Sequence, residues 1–415
     1  MMHVLFLAHR IPFPPDKGDK IRSFNMLCHI SSRARVHLGC FVDDPDDFAH
    51  ADALMMRCES LRMLPLERNR ALLRGLPAIL GGQSITQAMY HDPQMQEWVN
   101  ETIRHYPIEA IFLYSSAMAP YAADHGTGRR VVMDFVDMDS DKWRQYAAAK
   151  RWPMSLVYKR EAEKLFDLER TVAARVDHSL FVSEAEALTF RREAGSAAHD
   201  TRGLSNGVDH AYFAPGLVAP AALPGAPRLV FTGAMDYWAN VDAVTWFVDA
   251  VFPKVRAAMP EASFTIVGSK PTPAVQALGS KPGVHVTGRV PDVRPYLEAA
   301  DIAVAPLRIA RGIQNKVLEA MAMARPVVCT PEAFEGIEAT NGAALQVAES
   351  ADQTADAILA LMQDPVRRQA MGAAARAVIL ERYDWDTALA ALDPMLGLPE
   401  TETTEIDACP EEAHS

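Results

Sequence analysis

The feature that most constrains this chain is an alternation. Short apolar runs are separated by stretches of helical periodicity, once through the first half and again through the second. In the first half the runs are HVLFLA (from His3), RVHLGCFV (from Arg35), SLRMLPL (from Ser60), IEAIFLY (from Ile108), RRVVMDF (from Arg129) and HSLFV (from His178). Between them lie helical stretches such as Lys20–Ser31, Pro93–His105 and Ser155–Ala174. In the second half the runs are RLVFTG (from Arg228), ASFTIVG (from Ala262), GVHVTG (from Gly283), DIAVAP (from Asp301) and PVVCT (from Pro326), separated by helices over Val241–Ala258, Val293–Ala299 and Asn315–Ala324. Wholly apolar strands alternating with helices predict parallel sheets covered on both faces. The predicted fold class is therefore α/β, with two Rossmann-like, doubly wound domains facing a cleft.

A chain of 415 residues exceeds one ordinary core, which agrees with two domains. LSNGVD is a turn signal, and the Pro-, Gly- and Ala-rich APGLVAPAALPGAP after it has linker composition. The expected division is a first domain over 1–205, a linker over 206–227, a second domain over 228–398 and a disordered acidic tail over 399–415. A return of the last helices to the first domain is left open.

The net charge of −12 argues against general nucleic-acid binding. Five scattered cysteines suggest neither a metal site nor a disulfide framework, so a reducing cytoplasm is expected. The opening MMHVLFLAHR lacks a basic leader and reads as a first strand, and no stretch is apolar enough to span a bilayer. Peripheral contact with the inner face of the cytoplasmic membrane stays open. In Ser155–Ala174 the cations Lys159, Arg160, Lys164 and Arg170 suit anionic lipid, but the interleaved Glu161, Glu163, Asp167 and Glu169 favour a solvated, ion-paired face.

The segment PLRIARGIQNKVLEAMAMARPVV gathers Arg308, Arg311, Gly312, Asn315 and Lys316 before a helix of mostly Ala, Met and Leu. Gly312 permits close backbone approach, and the amides of Ile313, Gln314 and Asn315 stand at a helix start, where the dipole favours an anion. Glu319 shares a face with Lys316 and suits sugar hydroxyls. Such a set fits a nucleoside diphosphate; a solvated cap with a Lys–Glu pair is the plain alternative. In PPDKGDKIRSFN, Lys20 and Arg22 oppose the dipole of the helix they open, so an anion or simple solvation must explain them. Asp134, Asp137 and Asp139 follow an apolar strand and admit three readings: a helix cap, a sugar contact at Asp137, or a metal site.

These residues, with RLVFTGAMDYWANVDAV, GVHVTGRVPDV and ERYDWDTALAAL, resemble the retaining glycosyltransferases of GT-B fold, group 1 and family 4-like. The wording of PPDKGDKIRSFN, VMDFVDMDSDKWRQYA and PLRIARGIQNKVLEAMA looks most like those of bacterial PEP-CTERM/exosortase exopolysaccharide systems. The resemblance implies a hexosyl transferase that takes a sugar from a UDP- or GDP-sugar to a saccharide or lipid-linked acceptor, with no cofactor and no required metal. A nucleotide-sugar epimerase and a non-catalytic nucleotide-sugar-binding protein are the alternatives. The family signature is two glutamates separated by seven residues; Glu319 matches the second, at the ribose, and Arg311 stands at the first. The resemblance also implies donor contacts at Gly18, Gly233, Arg289, Val290, Gly312, Ile313, Gln314 and Asn315; Asp19, Lys20 and Arg22 at their helix start are expected on the acceptor side or at an anion. Relatives carry Arg and Lys after FTG, where this chain has AMDYWAN, so Arg308, Arg311 and Lys316 are expected to supply the diphosphate's counter-charge. Asp137, Arg311, Lys316 and Glu319 are the expected catalytic set.

Overall fold

A computed structural model describes residues 1–15, 18–66, 84–149, 152–310 and 312–399. Arg311 and the tail beyond residue 399 lie outside the described residues. The chain divides into two compact units. The first is Met1–Ser205 joined by the stretch from Leu389, and the second is Asn206–Ala388.

The first unit holds a seven-stranded sheet: β1 (His3–Ala8), β2 (Arg35–Val42), β3 (Ser60–Pro65), β4 (Ile108–Tyr114), β5 (Arg130–Val136), β6 (His178–Phe181) and β7 (Thr201–Gly203). Their order is β3-β2-β1-β4-β5-β6-β7, and every pairing is parallel. The second unit holds six strands: β8 (Arg228–Thr232), β9 (Ser263–Val267), β10 (Val284–Gly288), β11 (Ile302–Ala305), β12 (Val327–Cys329) and β13 (Gln346–Val347). They run β10-β9-β8-β11-β12-β13, again all parallel. Strands such as β1, β9 and β11 are buried on both faces, as helix-covered parallel sheets require. The edge strands β7 and β13 escape the apolar-run criterion because they are short and polar: TRG and QV.

The order fixes where ligands can bind. Each sheet reverses direction of growth once, between β1 and β4 in the first unit and between β8 and β11 in the second. The loops leaving the carboxyl ends of those strands splay apart and leave a crevice. They are the segments after Ala8, Tyr114, Thr232 and Ala305.

One boundary differs from the composition-based division, and the return of the last helices that it left open takes place. The stretch 206–227 packs with the second unit, where Val208 and Phe213 are buried in its core. Gly207 lies so close to Trp385 that a Cβ would fall 2.7 Å from the indole. At the other end, Leu392, Met395 and Leu396 are buried in the first unit. There Asp393 pairs with His29 at 2.8 Å, and the Pro394 carbonyl accepts from Arg130 at 2.8 Å.

Candidate functional site

In the second unit, β11 ends at Ala305 and the chain runs through Arg308 and Gly312 into the helix Asn315–Ala322. Gly312 is buried and has φ +63°, a conformation that favours glycine. Gln314 caps the helix in an extended conformation, and its side-chain amide returns to the Gly312 carbonyl at 3.1 Å. The Val317 and Leu318 amides both turn back to the Gln314 carbonyl. The amides of Asn315 and Lys316 belong to the first turn, where no intrahelical acceptor exists. Asn315 Oδ1 accepts from Asn206 Nδ2 at 3.1 Å.

Lys316 is the centre of this arrangement. Its ammonium donates to Asn240 Oδ1 at 3.0 Å and lies 5.2 Å from the centre of the Phe231 ring. Asn240 is itself oriented by donating to the Ala234 carbonyl at 2.8 Å. Burial lowers the Lys316 pKa to about 8, against the opposing pull of Glu319. Gly233, just after β8, completes the floor. A Cβ there would sit 2.8 Å from Asn240 Nδ2 and 3.3 Å from Lys316 Cε, and a Cβ on Gly268 would strike the Gly233 carbonyl. Backbone and ammonium can approach one another only because these positions lack side chains.

Arg308 is arranged differently. Its guanidinium forks onto both carboxylate oxygens of Asp242, so much of its charge is already met. Gly288 has φ +73° at the end of β10; Arg289 beyond it is exposed, and Val290 packs partly against the core.

In the first unit the switch-point loops carry a dense polar cluster. Asp19 pairs with Arg10, stands 3.7 Å from His9 Nε2, and its carbonyl accepts from Tyr114 at 2.7 Å. Burial alone would raise the Asp19 carboxyl; Arg10 and His9 outweigh it and hold it below its ordinary value. Burial, helped by Arg10 and opposed by Asp19, lowers His9 to about 4, so the imidazole is neutral near pH 7. Gly18 is exposed at the helix start. Lys20 and Arg22 are only 1% and 0% exposed. Lys20 meets Asp47 at 2.7 Å, and Arg22 meets the equally buried Asp134 at 2.8 Å. These carboxylates explain two cations at a helix N-terminus, and neither cation presents an open charge to an acceptor. Asp137 accepts from Lys142, which also lies 3.7 Å from Asp139. The two carboxylates hold the Lys142 ammonium above its ordinary value despite burial. The three aspartates thus each face a cation of the chain. Backbone strain collects beside them: Ser115, just after β4, has φ +78°, and Val136, the last residue of the strand β5 that carries Asp134, has φ +69°. A β-branched residue there costs on the order of 1–3 kcal/mol and persists only where its surroundings dictate it.

Residues 226–364 match the family model described as glycosyl transferases group 1. A GDP-mannose-dependent monoacylated alpha-(1-6)-phosphatidylinositol monomannoside mannosyltransferase of Corynebacterium glutamicum is 33% identical over 146 residues, 32% of this chain and 38% of the relative. The chain thus aligns with well under half of that curated relative's length. Among solved structures, Anabaena HepE in complex with UDP and glucose superposes with a TM-score of 0.66 at 16% identity, covering 96% of this chain and 100% of that one. Sucrose-phosphate synthase from Thermosynechococcus elongatus gives 0.68 at 16% identity, covering 95% and 98%. The chain has the GT-B fold. Within its second unit, residues 226–364 are similar to group 1 glycosyl transferases.

Within this GT-B chain, the second unit brings Gly233, Gly312, Asn315 and Lys316 together. Arg308 is tied aside by Asp242. Asn240 was missed as a site residue, although it lies in the AMDYWAN run singled out for lacking a basic group. In place of a cation after β8 stands an amide, on the helix Trp238–Trp246, that holds a cation from the helix Asn315–Ala322. Asn206 and Arg10 carry no such signal in sequence, where they are a turn residue and a residue just past a strand end.

Proposed function

We propose that this protein is a glycosyltransferase that moves a hexose from a UDP- or GDP-sugar to a saccharide or lipid-linked acceptor. The observation that carries the reading is Lys316, held by Asn240 at the start of the helix Asn315–Ala322 beside Gly233, within the segment that matches the family model. In this reading the diphosphate lies on the amides of Ile313–Lys316 and the Lys316 ammonium, the ribose on Glu319, and the base near Gly288–Val290. Arg311 adds the second full charge, since Arg308 is committed to Asp242. Amides and ammonium stabilise the negative charge that grows on the departing diphosphate, which is the main source of rate in such a site. No metal is needed for that role.

Asp137 is proposed to contact the transferred sugar or the acceptor hydroxyl, and the loop of Gly18 and Asp19 to border the acceptor. Transfer with retention, a place in exopolysaccharide synthesis of the PEP-CTERM/exosortase kind, and work at the inner face of the cytoplasmic membrane complete the reading. A thermal-shift panel of nucleoside diphosphates and their sugars tests it, because a ligand bound only by the folded state raises the melting temperature. UDP or GDP and the matching sugar nucleotide should stabilise the protein, and Arg311→Ala should abolish most of the shift. Indifference to every sugar nucleotide would sink the reading; an unchanged shift in Arg311→Ala would sink the role of Arg311 alone.

A further inference from the structure

The helix Trp238–Trp246 turns Ala239, Asn240, Ala243 and Val244 inward and holds Lys316 through Asn240. Its outward side has a different chemistry. Trp238, Asp242 and Trp246 follow one another at one-turn spacing and share a face. Tyr237, which precedes the helix, is 51% exposed and Trp238 is 42% exposed. Their ring centres are 6.3 Å apart and their planes stand 62° from parallel. Large aromatic side chains exposed beside one another mark an interaction surface.

Arg308 completes this face from the loop after β11. Its guanidinium lies 5.9 Å from the centre of the half-buried Trp246 ring while it forks onto Asp242. The pair is open to solvent; it cancels its own charge yet keeps N–H donors and carboxylate lone pairs to offer. Of the charges flanking the rings, Asp236 and Lys270 are exposed and opposite in sign. Lys270 is on the loop whose Ser269 carbonyl accepts from the Met235 amide at 2.8 Å. Apolar rings beside a self-neutralised set of donors and acceptors suit a ligand with apolar faces and a hydroxylated rim. A pyranose is such a ligand: C–H groups line its faces and hydroxyls its edge. From Trp238 to Trp246 the helix rises about 12 Å, longer than one such ring, so a chain of hexoses fits better than a single one.

We infer that this face binds a neutral hexose oligosaccharide. Tyr237 and Trp238 stack on pyranose faces, and the Asp242–Arg308 pair takes the hydroxyls. An exposed Tyr or Trp supplies a flat apolar surface with a polar handle for such a partner. The face shares the helix Trp238–Trp246 and the loop after β11 with the proposed nucleotide site, so it stands at that site's edge. In the glycosyltransferase reading, on which the role but not the binding rests, the bound chain is the acceptor, held by rings beyond the one that reacts. Arg308, committed to Asp242, then serves the saccharide and not the diphosphate.

Ligand-observed NMR titration of the nucleotide-free, full-length protein tests it, with cellotetraose, maltotetraose and mannotetraose as probes. At least one tetrasaccharide should bind, and more tightly than glucose or mannose. Trp238→Ala should weaken that binding about tenfold, and Trp238→Phe should largely keep it. Both variants alter an exposed side chain, so the melting temperature and its shift by UDP or GDP should remain those of the wild type. Failure of the wild type to bind any of the three, equal binding by Trp238→Ala, or no gain over the monosaccharides would overturn the inference. Loss of the nucleotide shift in Trp238→Ala would assign the ring to the nucleobase instead, and would also overturn it. Saccharide binding by a wild type that ignores every nucleotide would sink the transferase reading and leave this face standing.

Discussion

Single residues decide what the proposed nucleotide site can hold, and Lys316 decides most. With its pKa lowered to about 8 by burial, it is charged at pH 7 and increasingly neutral above pH 8. A bound diphosphate favours the charged form and raises that pKa, so affinity should be level below pH 8 and fall as pH rises past it. Titration of nucleoside-diphosphate binding by calorimetry between pH 7 and 9.5 checks the inflection, which Lys316→Gln should remove. That variant should also bind about 10- to 100-fold more weakly at pH 7, the loss of a charge-assisted hydrogen bond. Arg22 makes the contrasting case. It reads in sequence as a cation for an anionic ligand or for solvent, yet it is buried against Asp134. Arg22→Ala strands a buried carboxylate and should destabilise the first unit by about 3–5 kcal/mol in urea unfolding. No nucleotide-binding defect should accompany it.

At the scale of elements, the helix Asn315–Ala322 shows how local chemistry sets a boundary. The chain leaves it through two crossing hydrogen bonds, Arg325 amide to Ala320 carbonyl and Ala324 amide to Met321 carbonyl, with Ala324 at φ +54°. This is the Schellman stop, which prefers glycine at the left-handed position. Pro326 then bars any continuation. Ala324→Gly should therefore stabilise the second unit by about 0.5–1 kcal/mol, readable as a higher urea midpoint at constant slope. Gly372 of the helix Pro365–Arg382 faces the same turn; a Cβ there would meet the Ala324 carbonyl at 2.2 Å. The apolar runs and helix starts of the central elements were legible because they carry their own signals, such as Pro93 after the Asp92 cap. The edge strands β7 and β13 carry none and exist through their neighbours.

For the molecule as a whole, the chain threads its first unit twice. Residues from Leu389 return to it, burying Leu392, Met395 and Leu396 beside β4 and β5. Each such side chain contributes about 1.5–3 kcal/mol. A chain ending at Ala388 should thus lose stability in its first unit, by several kcal/mol, while the second unit keeps its core. Differential scanning calorimetry with and without UDP or GDP checks this: the transition shifted by nucleotide should survive, and the other should move to lower temperature.

The sequence by itself determined the parallel α/β architecture, the positions of its central strands along the chain and the glycine-and-lysine loop before Asn315, because apolar periodicity and helix-start chemistry are local. Only the tertiary structure decided which charges remain available. Asp47, Asp134 and Asp242 lie far along the chain from Lys20, Arg22 and Arg308 or on other elements, yet they occupy those cations. Asn240, unremarkable in sequence, is what holds Lys316 in place. Charge pairing depends on distances in space, and spacing along the chain does not encode them.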